Sequence, residues 1–232
     1  MSKKVLAIFC VVLLIGLAFI TLSCASKKTP TSSAEEPTQA TTPVSTASAT
    51  ATATAMQTPA LYSFDTDQTG DWALETYPTL DDFSNKTYNI SSGHNANGCL
   101  QVTFDRSVAN NAGAIYHDIS GGADFTGKTI RVWIYITSDL IDTTNPYGVQ
   151  MYIKTGSGWV WYDGGWVNIE GPAGWKEYTF DTTQGGRENG SDPKVPIQNI
   201  NDTKQVGIKI GMGSTTPTNP TPAQILFDDI NW

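Results

Sequence analysis

The chain has 232 residues, with 22 acidic and 14 basic side chains and a formal net charge of −8 at neutral pH. A surface of that sign is a poor partner for nucleic acid or an anionic membrane and suits a neutral ligand better. Of the three cysteines only Cys99 falls in the globular part, which excludes an internal disulfide there.

The start of the chain reads as a targeting segment. Lys3 and Lys4 precede an apolar run from Val5 to Ile20, closed by Thr21, Leu22, Ser23 and Cys24. That run is shorter than the roughly 20 residues a spanning helix needs. Residues 1–23 resemble a bacterial lipoprotein signal, although Thr21 stands where that pattern prefers Leu. The resemblance implies a lipidated Cys24 and a protein held at the cell surface or the outer face of a bacterial membrane, with secretion as the alternative. Residues 24–60 are rich in Ser, Thr, Ala and Pro and offer almost nothing to bury, as expected of a disordered linker. Such a coil holds the globular part roughly 30 to 40 Å from its anchor.

Residues 61–232 are long enough for one domain that buries roughly 70% of its unfolded surface. Residues 1–60 hold Glu35, Glu36, Lys3, Lys4, Lys27 and Lys28, so the domain keeps 20 acidic and 10 basic residues, a net of −10. Candidate strands fall at 61–65, 72–77, 99–105, 113–119, 129–137, 148–154, 159–163, 175–181, 205–212 and 223–231. Clusters of Gly, Asn, Asp and Pro separate them, and no stretch carries a helical period. About ten antiparallel strands predict an all-β sandwich.

Side chains two apart share a strand face, so alternation separates core from surface. In "TIRVWIYIT" Ile130, Val132, Ile134 and Ile136 face inward, leaving Arg131, Trp133 and Tyr135 outside. In "GVQMYIKTG" the inward set is Val149, Met151 and Ile153, with Gln150, Tyr152 and Lys154 outside. In "QVGIKIGMG" Val206, Ile208, Ile210 and Met212 face inward, with Gln205, Gly207 and Lys209 outside. The stretch "GSGWVWYDGGWVNIEG" places Trp159 and Trp161 together opposite Val160, and lets the chain turn at "DGG" before Trp166. Rings interleaved with amides and cations mark either packing under loops or a binding face. Of the seven tryptophans, two or three are expected in structural roles and the rest exposed.

The order "GVQMYIKTGSGWVWYDGGWVNI", "GPAGWKEYTFDT", "KQVGIKIGMG" and "PAQILFDDINW" resembles the non-catalytic carbohydrate-binding modules of the galactose-binding-like jelly-roll type, which accompany β-mannanases, β-glucanases and xylanases. The resemblance implies a jelly-roll β-sandwich that binds a polysaccharide of the mannan, glucan or xylan class beside co-secreted glycoside hydrolases. By position it implicates Trp133, Tyr135, Gln150, Tyr152, Trp161 and Trp166, with Arg131, Lys154 and Lys209 as polar partners. Trp161 and Trp166, with Tyr152 or Trp133 beside them, are expected to form an exposed platform. The long loop "DTTQGGRENGSDPKVPIQNINDTK" either covers or extends the site.

The resemblance also implies a structural Ca²⁺ between the first and last strands. Asp65, Asp67 and Asp71 in "FDTDQTGDW" and Asp228 and Asp229 in "FDDINW" supply the hard oxygen donors that ion takes. Two other readings compete. A glycoside hydrolase or lyase on a β-jelly roll needs paired carboxylates, yet Glu75, Glu170 and Glu177 stand singly and no catalytic residue is assigned. A lipid-anchored adhesion or assembly module would use the same rings against protein.

Overall fold

The computed structural model describes residues 60–76, 82–95, 98–144, 146–215 and 220–232. The targeting segment 1–23, Cys24 and all but the last residue of the linker lie outside the described residues.

The alternating aliphatic residues each need a dry face, and they find it between two stacked antiparallel sheets. Among the described residues there are eleven strands and only short 3-10 turns as helix: β1 (Ala73–Leu74), β2 (Phe83–Asn89), β3 (Cys99–Phe104), β4 (Ala112–Ala123), β5 (Thr129–Ile136), β6 (Gly148–Thr155), β7 (Val160–Asn168), β8 (Gly174–Asp181), β9 (Arg187–Glu188), β10 (Thr203–Gly211) and β11 (Ala223–Asn231). One sheet has the order β1-β4-β10-β6-β7-β9 and the other β2-β3-β11-β5-β8. Ile130, Val132, Ile134 and Ile136 of β5 join Val149, Met151 and Ile153 of β6 and Val206, Ile208 and Ile210 of β10 in one core. The inward sets are therefore those that alternation predicts.

Four strand assignments differ from the expectation. The 61–65 segment is not a strand but a single bridge, with Tyr62 and Ile230 exchanging backbone hydrogen bonds of 3.0 Å each. Phe64, at φ 50°, turns the chain away directly afterwards. Strand β2 escapes pattern reading because "FSNKTYN" carries an irregularity between Ser84 and Thr87, with Asn85 at φ 51°, and that breaks its alternation. Strand β9 has two residues, both charged, and so reads as loop. Strand β7 also runs on to Asn168, well past the expected end.

The bridge at Tyr62 brings both described ends of the domain into one aromatic cluster. Tyr62 meets Trp72 edge-on at 5.5 Å, and Trp232 stacks on Phe125 at 5.7 Å. His117 lies between them, its Nδ1 2.8 Å from the Asp71 carbonyl.

Strand β11 also carries Asp228, which is fully buried and accepts backbone hydrogen bonds from His94 at 2.6 Å and Asp229 at 2.8 Å. Burial pushes its carboxyl up to about 6, the two hydrogen bonds opposing that shift only in part. The folded value then exceeds the unfolded one of about 3.9, so the native state holds the proton more tightly. The resulting stability is present below about pH 4 and lost as pH rises through about 6. We expect the Asp228 carboxyl ¹³C resonance to titrate with a midpoint near 6. Relative to Asp228→Asn, the wild-type unfolding free energy should fall by on the order of 1–3 kcal/mol across that window. A midpoint near 4 would contradict the buried placement.

Candidate functional site

The outer face of the six-stranded sheet is organised in rows set by strand register. Tyr116, Gly207, Tyr152 and Asp163 form one row; Ala114, Lys209, Gln150 and Trp166 form the next; Ala112, Gly211, Gly148 and Asn168 form a third. Lys154 pairs with Trp161 one row above the first. Between Gln150 and Tyr152 on β6, the partners on β7 step from Trp166 to Asp163, three residues against two. This is a β-bulge at Gly164–Gly165, and one extra residue reverses the parity of everything beyond it. Without it Trp166 would point into the core; with it Trp166 joins Trp161 and Asp163 outside. Gly165 takes φ 91°, a conformation that favours glycine, and a Cβ on Gly164 would sit 3.0 Å from the Phe180 ring and press on it.

Glycines also make the floor. A Cβ on Gly207 would lie 2.0 Å from Cζ of Tyr152, and one on Gly211 would lie 2.5 Å from Cη2 of Trp166. The two rings thus rest directly on the backbone of β10. Trp161 lies parallel to Tyr152 at 3.7 Å, and Tyr152 is fully buried between Trp161 and the glycine. Tyr152 is therefore the support of the platform rather than part of its exposed surface, which corrects the expectation. Its hydroxyl and Oε1 of Gln205 are buried with no hydrogen-bond partner among the described residues. Burial drives the Tyr152 phenol well above its usual pKa, so it stays neutral.

Asp163 holds this face together. It is fully buried and accepts from Trp161 Nε1 at 3.1 Å, Gly165 N at 2.8 Å and Arg187 Nε at 2.8 Å. One carboxylate thereby fixes an indole edge, the bulge and a guanidinium. Arg187 arrives on β9, so the long 181–204 loop extends the sheet rather than only covering it. Together these residues enclose an open cleft of about 680 Å³, with Glu75, Gln150, Lys154, Asn189 and Lys209 completing its lining. Trp166, 43% exposed, forms a ridge between this cleft and a smaller one of about 190 Å³ over Gly148 and Gly211.

The expected residues divide between two faces. Gln150, Lys154, Trp161, Trp166 and Lys209 converge on the cleft. Arg131, Trp133 and Tyr135 lie on β5 in the other sheet, on the opposite side of the sandwich, and cannot share a ligand surface with them. There His94 stacks on Trp133 at 3.7 Å and pairs with Asp229 at 2.9 Å, closing a loop over the indole. Trp159 occupies the β6–β7 turn at φ 52° and is 47% exposed, outside the cleft lining. Only Trp159 and Trp166 of the seven tryptophans are largely exposed, fewer than expected, because Trp133, Trp161, Trp175 and Trp232 are half-buried against neighbouring rings.

Of the five aspartates expected to hold calcium, four have hydrogen-bond partners for their carboxylates. Asp65 and Asp67 accept from Ser63 and Thr69 within their own turn, while the carboxylates of Asp228 and Asp229 are taken by His94, Asn95 and backbone N–H groups. Among the described residues no three His, Cys, Asp or Glu side chains converge on a metal position. The sequence reading does not single out Glu75, Asp163, Arg187 or Asn189 for the cleft. Asp163 was legible as the residue two after Trp161, whereas the others reach the cleft through pairings no local pattern encodes.

The glycine floor gives a direct test. Gly207→Ala should displace Tyr152 and its stacked Trp161, costing about 1–3 kcal/mol as overpacking does and altering the near-ultraviolet circular dichroism. Gly70→Ala, where a Cβ meets nothing within 4 Å, should change neither. An unaltered Gly207→Ala spectrum would show that the ring does not rest on β10.

Comparison with known proteins places the chain. An exo-β-agarase structure is similar at a TM-score of 0.51 and 10% identity, over 75% of this chain and 25% of the agarase. A structure described as a basis for the promiscuous specificity of carbohydrate-binding modules of the β-sandwich superfamily gives 0.49 and 16% identity, over 75% of this chain and 61% of that one. A family 11 carbohydrate-binding module from Clostridium thermocellum, in complex with a β-1,3-1,4-mixed-linked tetrasaccharide, gives 0.48 and 10%, over 74% and 92%. No curated protein matches the sequence significantly. The agarase likeness concerns fold, and the chain spans only part of the first two proteins. The family described as "Mannanase, galactose-binding domain-like" matches residues 62–221, most of the sandwich, and the chain belongs to that family.

Proposed function

We propose that this protein binds a β-linked polysaccharide along the outer face of its six-stranded sheet and does not cleave it. The observation that carries this reading is the cleft itself: the rings of Trp161 and Trp166 alternate with Gln150, Lys154, Arg187, Asn189 and Lys209. Flat apolar rings suit the C–H faces of pyranoses, and the interleaved polar groups suit hydroxyls that need partners at every sugar. A protein partner would not require that alternation. Lys154 and Gln150, opposite the two tryptophans, are four residues apart on β6, roughly 13 Å of strand, a span that accommodates more than one sugar ring. The family description, which names mannanases, favours mannan within the mannan, glucan and xylan range.

A non-catalytic role is supported by the carboxylates. Glycoside hydrolysis uses two carboxyl groups free to exchange a proton or attack. The cleft has Glu75 and Asp163, and Asp163 is committed to three donors. Anchored through a lipidated Cys24 and its linker, the module would hold polysaccharide at the cell surface within reach of co-secreted glycoside hydrolases.

Trp166→Ala removes an exposed ring. If the ring covers on the order of 100 Å² of sugar, about 2.5 kcal/mol is lost, and affinity electrophoresis on soluble mannan, glucan and xylan should record roughly 10-fold to 100-fold weaker binding with little change in melting temperature. Trp161→Ala should weaken binding and also destabilise by about 2–4 kcal/mol, because it uncovers Tyr152 and strips a donor from Asp163. Normal retardation of the Trp166→Ala protein would sink the site. For the anchor, Cys24→Ser should move the protein from the membrane to the soluble fraction; unchanged fractionation would rule lipidation out.

A further inference from the structure

The cleft is rich in donors although the domain is acidic. Lys154, Arg187 and Lys209 reach it from β6, β9 and β10, against two carboxylates, Glu75 and Asp163. Asp163 already serves Trp161, Gly165 and Arg187, and Glu75 stands 3.7 Å from Lys154 Nζ. Lys209 differs from the other two cations. Among the described residues no carboxylate lies within ion-pair distance of it; its ammonium lies instead 5.0 Å from the Trp166 ring centroid. Burial holds its pKa below the ordinary lysine value, with Asp163 opposing that depression and Arg187 adding to it.

Sugar hydroxyls accept as well as donate, so a neutral sugar can satisfy these donors with its hydroxyl oxygens but brings no negative charge to a lysine ammonium. Here side-chain donors exceed acceptors, and among the described residues the half-buried Lys209 has no carboxylate within ion-pair distance, Asp163 acting on it only from farther away. A group that only accepts and carries negative charge answers both conditions. We infer that the cleft takes an anionic sugar, whose carboxylate or sulfate ester seats against the Lys209 ammonium while its ring contacts the aromatic walls. This assignment rests on the polysaccharide reading and departs from the neutral mannan favoured there by adding a charged group to the sugar. The net charge of the domain repels polyanions at long range, so the selectivity is a contact effect, to be measured at physiological ionic strength where the Debye length is about 8 Å.

The test is calorimetric titration of the intact chain with a β-linked mannuronate tetrasaccharide and with mannotetraose, which carries a C6 alcohol in place of each carboxylate. The mannuronate should bind about tenfold or more tightly. Lys209→Met should erase that difference, while Lys194→Met, on the open surface, should preserve it. A sulfated galactan oligosaccharide forms a third arm: Lys209-dependent binding there, without a mannuronate preference, assigns the anion to a sulfate ester and sustains the inference. Equal affinity for the two tetrasaccharides, with no Lys209-dependent sulfate binding, overturns the anionic assignment and leaves polysaccharide binding standing. A mannuronate preference that survives Lys209→Met also overturns it. Failure to bind these oligosaccharides or any neutral mannan, glucan or xylan overturns both readings.

Discussion

The close approach of aromatic rings to bare backbone is the constraint on which the binding face depends. The outer face of a sheet normally keeps its side chains roughly upright and separated, which leaves no flat surface. Gly207 and Gly211 on β10 remove the obstruction, so Tyr152 from the adjacent β6 and Trp166 from β7, one strand further, lie down across them. Once Tyr152 is flat it becomes a base on which Trp161 stacks. A soft, solvated surface thereby becomes a rigid one, and rigidity reduces the ordering cost of gripping a ligand. The glycines contribute by what they lack, although glycine in a strand weakens the strand itself.

The second level of organisation is electrostatic. A buried carboxylate is costly unless its lone pairs are used, and Asp163 meets that demand with an indole, a backbone amide and a guanidinium. Each partner has a job in the cleft, so solvation of one charge and construction of the site become the same problem. Strand β9 obeys this logic: two residues would hardly persist as an edge strand alone, but Arg187 on Asp163 ties them to β7. Among the described residues Lys209 has no carboxylate at ion-pair distance, and the cleft accordingly ends in a cation held against the Trp166 ring.

The opposite sheet shows how similar outward residues reach a different end. Trp133, Tyr135 and Trp175 also face away from the core, yet His94 lies flat on Trp133, held there by Asp228 and Asp229. His94 thereby covers Trp133 and meets Trp175 edge-on. Outward-pointing rings alone therefore do not identify a ligand surface; what the neighbouring loop does with its own buried polar groups decides.

The sequence by itself determined the sandwich and its core. Alternation in "TIRVWIYIT", "GVQMYIKTG" and "QVGIKIGMG" is a local property with a period of two, and it sorts inward from outward residues wherever the strand stays regular. It also brought Gln150, Lys154, Trp161, Trp166 and Lys209 into consideration, because their strands carry outward residues of the right chemistry. Tertiary structure decided which strands share a sheet, which separated Arg131, Trp133 and Tyr135 from the cleft. It also decided that Tyr152 is buried, that Arg187 and Glu75 complete the site, and that Asp228 and Asp229 accept from His94 and Asn95, far away in the chain. These outcomes depend on register and on contacts between residues far apart in the chain, such as Gly207 beneath Tyr152 and His94 above Trp133. A period-two pattern carries no information about which partner a strand will find, or about what lies above it.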